Sequence, residues 1–170
     1  VYREPAEYKL SAAPTEGEIF DLSERISGIA PIPGFASLRG SSDESVCFIP
    51  LLGFEGTRLA YLLEHIQPPD NKVVPVVALP GFRLEYPFYA YLANRSSLQR
   101  GKAWQHVRFA AANNPFSLVY LLEEISGEHG NERLKIAPIG TKPHALGAVL
   151  FCIRDPDRVE LVYDHPLRKK

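Results

Sequence analysis

Gly140-Thr141-Lys142 is the segment best suited to chemistry. A glycine lets backbone approach an anion, a threonine hydroxyl can cap a helix or donate to phosphate, and a lysine adds a point charge beside a helix's positive end. It is not a P-loop, because the upstream glycine and four-residue spacer are missing. A second group, Gly53, Glu55, Gly56, Thr57 and Arg58, falls within six consecutive positions; Arg83, Asn113 and Asn114 are further candidates for ligand binding. The Gly53-x-x-Gly56 spacing lacks the full GxGxxG fingerprint, which disfavours NAD or FAD. His144, His165 and Asp164 are the candidates for acid or base work near neutral pH. Glu55 and Asp164 are two carboxylates from separate segments, too few to define a magnesium site, so no metal and no cofactor is expected. Each candidate has a plain structural alternative: a helix start with a solvated lysine, a hydrogen-bonded histidine, a turn glycine.

The elements that must position these residues follow from hydrophobic periodicity. From Val46 onward a short apolar run, a turn containing Gly, Asn or Pro, and a helical stretch repeat, which is the pattern of βα units. Val46–Leu52 reads as a strand, followed by a helix with Leu59, Leu62, Leu63 and Ile66 on one face and Pro68-Pro69 after it. Lys72–Leu79 reads as the second strand and residues 87–98 as its helix. Pro50 and Pro75 interrupt their strands and predict an edge, a bulge or a strand start there. Val107–Ala111 leads into Asn113-Asn114-Pro115, a strong helix start; Leu118, Leu121, Leu122 and Ile125 face inward and Gly127 closes the helix. Leu134–Ile139 is a strand, Gly140–Pro143 a turn, and Ala145–Ile153 a helix predicted to bury Leu146, Val149, Leu150 and Ile153. The last strand, Arg158–Tyr163, ends at Asp164-His165.

Five strands separated by helices imply right-handed crossovers and a sheet covered on both faces. The expected fold is therefore an α/β, three-layer Rossmann-like domain over residues 46–170, with a mostly parallel sheet of about five strands. Residues 1–45, rich in Pro, Gly, Ser and charge, read as an irregular N-terminal arm or cap. They carry one amphipathic stretch from Glu18 to Ile26, and an extended loop at Ile29–Phe35 packed on the core. In such sheets ligands bind outside the carboxyl ends of the strands, and the candidates named above all fall in the turns there.

Composition narrows the function classes. A chain of 170 residues supports one core. Its net charge of −1 gives no general attraction to nucleic acid or to an anionic membrane. No apolar run is long enough to cross a bilayer and residues 1–20 hold no signal-peptide core, so a cytoplasmic location is expected. Cys47 and Cys152 lie in apolar stretches without metal spacing and read as buried free thiols. The absence of methionine suggests an internal fragment, or a chain from which segments were dropped. Phe82, Tyr86, Phe88, Tyr89 and Tyr91, interleaved with Arg83 and Arg95, could stack a base or belong to the core. No Gly-x-Ser-x-Gly elbow is present, so serine nucleophile chemistry has no support.

The strand, glycine turn and helix at Phe48–Ile66, together with those at Leu134–Ile153, resemble the two ligand-binding turns of CRISPR-associated Rossmann-fold sensor domains. The resemblance spans about two-thirds of the chain; Ile139 stands where those turns carry a second glycine. It implies a homodimer that binds cyclic oligoadenylates, with Gly140, Thr141 and Lys142 lining the phosphate-contacting turn and Gly53 and Glu55 opposite. Three functions are thus expected to compete. The first is a sensor or binding domain for a nucleotide or other phosphate-bearing molecule. The second is a nucleotide-processing hydrolase or transferase using Asp164, His165 or His144, with Lys142 neutralising charge. The third is an interaction module of a larger regulatory or defence protein.

Overall fold

A computed structural model describes residues 23–36 and 45–168. In chain order the elements are β1 (Ser23–Ile26), β2 (Ala30–Pro31), β3 (Val46–Pro50), α1 (Gly56–Ile66), β4 (Val76–Ala78), α2 (Tyr86–Arg100), β5 (Arg108–Ala110), α3 (Pro115–Glu128), β6 (Arg133–Ala137), α4 (Lys142–Arg154), β7 (Val159–Tyr163) and β8 (Pro166–Arg168). The protein is α/β. A mixed four-stranded sheet runs β2-β7-β6-β3, a parallel pair is formed by β4 and β5, and β1 pairs with β8. Within the four-stranded sheet β3, β6 and β7 are mutually parallel, and β2 is antiparallel at the edge.

The expected five strands lie at the predicted places, but they do not form one unbroken ladder. Between β3 and β4 the pairing is reduced to two isolated parallel bridges, Phe48 with Val73 and Leu51 with Val76. Pro50 accounts for the gap: Val74 N donates to Phe48 O at 2.9 Å and Leu52 N to Val76 O at 2.8 Å, so residue 50 between them faces β4 and, as proline, has no N–H to offer it, whereas Pro75 faces β5, where its carbonyl accepts from Arg108 N at 2.8 Å.

Side chains alternate along β3 as a strand requires. Cys47, Ile49 and Leu51 join Leu118, Leu122 and Ile125 of α3 and Ala148, Phe151 and Cys152 of α4 in one buried cluster. Phe48 and Leu52 join Leu59 and Leu62 of α1 and Leu98 of α2 in another. Helices therefore cover both faces, α1 and α2 on one side and α3 and α4 on the other.

Side-chain caps mark the starts of α3 and α4. Asn114 Oδ1 accepts from Phe116 N at 3.0 Å and Pro115 opens α3. At the far end α3 runs past Gly127 to Glu128, and it is Gly130, at φ 54°, that takes the left-handed turn. The predicted inward face of α4 is a clear departure. Gly147, Ala148, Phe151 and Cys152 are buried, whereas Leu146 and Ile153 are exposed and Val149 and Leu150 only half-buried. Gly147 sets this rotation, because a Cβ there would lie 2.6 Å from the Pro115 carbonyl oxygen. Close approach of α3 and α4 selects the small-residue face over the leucine face.

Residues 29–35 behave as an extended segment: β2 pairs with β7, and Ile32 and Phe35 pack against the core. Of the amphipathic stretch 18–26, only β1 falls among the described residues. No helix among them is long and apolar enough to cross a membrane.

Candidate functional site

The turn after β3 and the turn after β6 meet backbone to backbone. A Cβ built on Gly53 would lie 2.3 Å from the Ile139 carbonyl oxygen, and one on Gly140 would lie 2.5 Å from that of Leu52. Both glycines are thus required by the packing of two neighbouring turns. Gly140 has no positive φ, so approach rather than backbone conformation fixes its identity.

Arg58, in the first turn of α1, ties this junction to the end of β7. Its Nε donates to Asp164 Oδ2 at 2.7 Å and its NH2 group to Oδ1 at 2.5 Å, a bidentate fork. Its NH1 group donates to the Ile139 carbonyl at 3.4 Å and lies 3.7 Å from Glu55. The guanidinium also sits 5.3 Å from the Tyr163 ring centroid. Arg58 and Asp164 are both buried. Burial alone would lower the Arg58 pKa, but the hydrogen bond and charge of Asp164 outweigh it and hold the guanidinium above its ordinary value.

Sequence reasoning missed Asn94. Its Nδ2 donates to Gly53 O at 2.9 Å and to Ala90 O at 2.7 Å, so α2 also grips the β3 turn. With both amide hydrogens so placed, Oδ1 must act as acceptor, and it is buried without a donor. The available signal was a polar residue on an otherwise apolar stripe, since Tyr86, Ala90, Ala93 and Leu98 are the other buried residues of α2. Beside it Phe54 meets Tyr86 and Tyr89 edge-on at centroid distances of 5.1 and 6.3 Å, and Arg83 lies 5.7 Å from the Tyr86 ring. Of the aromatic series, Tyr86 is buried, while Phe88 and Tyr91 face outward.

The α4 terminus is fastened to the turn after β5. Thr141 accepts from His144 N and donates to Ala112 O, both at 3.3 Å. The fully buried His144 ring places Nε2 3.1 Å from Ala111 O, which makes Nε2 the protonated nitrogen, and buried Nδ1 has no partner. Burial lowers the His144 pKa against the opposing pull of the Ala111 and Ala110 carbonyls. Pro143 has no N–H and that of His144 is taken, so this helix end offers an anion its dipole more than its donors. Lys142 is exposed at the first helical position.

The remaining candidates divide plainly. Gly56 opens α1 and is buried; Thr57 is exposed beside it, and no side chain caps that terminus. Asn113 is exposed, and Asn114 is engaged as a cap. His165 is exposed, has φ 44° and packs edge-on to Tyr163. His144, Asp164 and His165 share no hydrogen bond with one another: the first binds a backbone carbonyl and the second binds Arg58. Among the described residues no group of three or more His, Cys, Asp or Glu is placed to hold a metal ion. No protein-family model matches this chain, and no curated protein matches it.

Proposed function

We propose that this chain is a Rossmann-like domain that binds a nucleotide or another phosphate-bearing molecule outside the carboxyl ends of β3 and β6. Taken across the two bridges, the parallel strands run β5-β4-β3-β6-β7, and the chain leaves β3 toward β4 on one side but returns to β6 on the other. That reversal is where open α/β sheets bind ligands. The observation that carries the reading is the Gly53–Gly140 junction at this point. The uncapped α1 terminus with Gly56 and Thr57 adjoins it on one side, and Thr141 and Lys142 on the other. The resemblance to cyclic-oligoadenylate sensors makes oligonucleotide second messengers one arm of the test. The hydrolase or transferase reading has weaker support, because Asp164 is held by Arg58 and His144 is buried and bonded to backbone.

The test is thermal denaturation of the full chain with mononucleotides, cyclic dinucleotides, cyclic oligoadenylates and inorganic phosphate, followed by calorimetric titration of any hit. A ligand at a hundred times its Kd should add about 2.7 kcal/mol of stability. Lys142→Ala should weaken that ligand by roughly ten- to a hundredfold, the loss of one charge-assisted contact. If no phosphate-bearing compound stabilises the chain, the reading is wrong. If Lys142→Ala binds as tightly as the parent, α4 is not part of the site.

A further inference from the structure

His144 is a titratable side chain sealed where it cannot carry a charge. Its ring has no exposed surface, Nε2 donates to the Ala111 carbonyl at 3.1 Å, and Nδ1 is buried with no partner among the described residues. A second proton would have to sit on Nδ1, facing no acceptor. The imidazolium would also lie in the first turn of α4, against the positive end of the helix dipole.

No counter-ion offsets that charge. The turn after β5 and the turn before α4, residues 111–114 and 138–141, hold no ionisable side chain. Arg108 of β5 is engaged with Glu124 and Glu128 of α3, Glu123 of α3 with Arg154 of α4, and Arg133 and Lys135 of β6 lie beside Glu160. Tyr120, Lys142, and Arg83 and Glu85 of the loop after β4 are exposed. Burial pushes the Cys47 and Cys152 thiols up to about 12 and about 11, so both are uncharged near neutral pH. What acts on His144 is burial, opposed by the Ala111 and Ala110 carbonyls, and burial prevails to lower its pKa.

The packing also decides which part would yield. The turn after β5 is held from its other side, since Ala112 N donates to Pro80 O at 2.9 Å and Ala111 N to Ser117 Oγ at 3.0 Å. Gly147 is seated on α3, where the Pro115 carbonyl oxygen would lie 2.6 Å from a Cβ. Between these anchors the start of α4 is fastened to the β5 turn by the His144 ring and by the Thr141 hydroxyl, which reaches Ala112 O at 3.3 Å.

We propose that His144 is a proton-operated latch: when it takes up a proton, the first turn of α4 comes off the turn after β5 while the rest of the fold stays closed. That segment carries Thr141 and Lys142, so the latch would regulate the proposed ligand site. It is a property of the unliganded chain, and its test needs no ligand, so it stands or falls apart from that reading. The open form exposes an imidazole of ordinary pKa, about 6.5, whereas the closed form has a lower one. The opening constant is therefore flat above about pH 6.5 and rises by up to about tenfold for each pH unit below it, until the closed form itself is protonated.

Native-state amide exchange of the full chain, followed by NMR from about pH 7.5 to about pH 5 and corrected for intrinsic rates, is the decisive measurement. The His144 and Ala145 amides, which donate to the Thr141 hydroxyl and carbonyl, should lose up to about tenfold of protection per pH unit below about 6.5. Low urea should leave their exchange unchanged and quicken that of β3 and β6, the mark of local rather than global opening. His144→Gln keeps a donor for the Ala111 carbonyl and cannot titrate, so it should remove the pH dependence. Ring nitrogen shifts of the parent should show the Nε2–H tautomer and a midpoint below the ordinary value; with the urea series they decide the matter if the glutamine variant does not fold. A urea dependence equal to that of β3 and β6, a ring that titrates at its ordinary value, or a pH dependence that survives in His144→Gln would overturn the latch.

Discussion

Replacing Arg58 by methionine should destabilise the protein far more than its single position suggests. The change keeps much of the side chain's apolar volume and removes the guanidinium. Asp164, which has no exposed surface, then loses the partner of both its oxygens, the bonds of 2.7 and 2.5 Å. Breaking a buried pair from one side costs about 3–5 kcal/mol, because the surviving charge is left uncompensated. The Tyr163 ring beneath the guanidinium adds up to about 1 kcal/mol. A loss of roughly 4 kcal/mol is a large part of the 5–15 kcal/mol, roughly, that holds an ordinary domain together. Asp164→Leu alone should be similarly costly, since it strands the cation. The double variant should lose much less than the sum, as an apolar pair can replace a buried ion pair at about neutral cost. Urea unfolding of the four proteins gives the coupling energy directly. Arg58→Lys, which keeps the charge but not the fork, should fall between parent and Arg58→Met. Should Arg58→Met cost less than about 1 kcal/mol, or the double variant lose the full sum, the pair is not what joins β7 to the β3 turn.

Two further outcomes follow from the same edge. Gly140→Ala and Gly53→Ala should each lower the unfolding midpoint by an amount corresponding to about 2 kcal/mol or more, because each new methyl meets backbone oxygen that cannot swing aside; Gly127→Ala, in the last turn of α3 with nothing within 4 Å, is the control and should be neutral or stabilising by up to about 1 kcal/mol. For His144 the folded pKa lies below its unfolded value, so the unfolded chain binds more protons as the solution becomes acidic. Stability from this residue is complete above the unfolded value of roughly 6.5 and falls as pH drops through and below it. His144→Gln should flatten the stability–pH curve between about pH 7 and 5, and an unchanged slope there would remove His144 as its source.

Element order was legible in the sequence because it rests on runs that a single residue cannot disguise, such as Leu59, Leu62 and Ile66 against Phe48 and Leu52. Orientation was harder. The α4 stripe Leu146–Val149–Leu150–Ile153 has the right spacing for a core face, yet Gly147 and Ala148 are inside. Hydrophobicity marks a face as apolar, but it does not say which of two apolar faces meets the sheet, and that was decided by how closely Pro115 approaches Gly147. The broken ladder at Pro50 was signalled, since a missing N–H is written in the residue type. Asn94 was not, because its role exists only once α2 is folded against the β3 turn. Asp164 and Arg58 are 106 positions apart; nothing local to either announces the other.

The placement of polar residues at the carboxyl edge follows from what that edge must do before it can bind anything. Five turns converge there, and their buried carbonyls and helix ends need partners. Asn94 serves Gly53 and Ala90, Thr141 serves Ala112 and His144, and His144 serves Ala111. Arg58 and Asp164 neutralise each other across β3 and β7. The residues that looked most chemical in the sequence therefore hold the turns in register. On the proposed reading, recognition would fall to exposed groups, Thr57, Lys142, Arg83 and Asn113, and to backbone at the glycine junction. A site of this kind is rigid in its frame and sparse in reactive groups. On the proposed reading such a frame would hold an anion in a fixed place, with Asp164 and His144 already committed to Arg58 and to the Ala111 carbonyl.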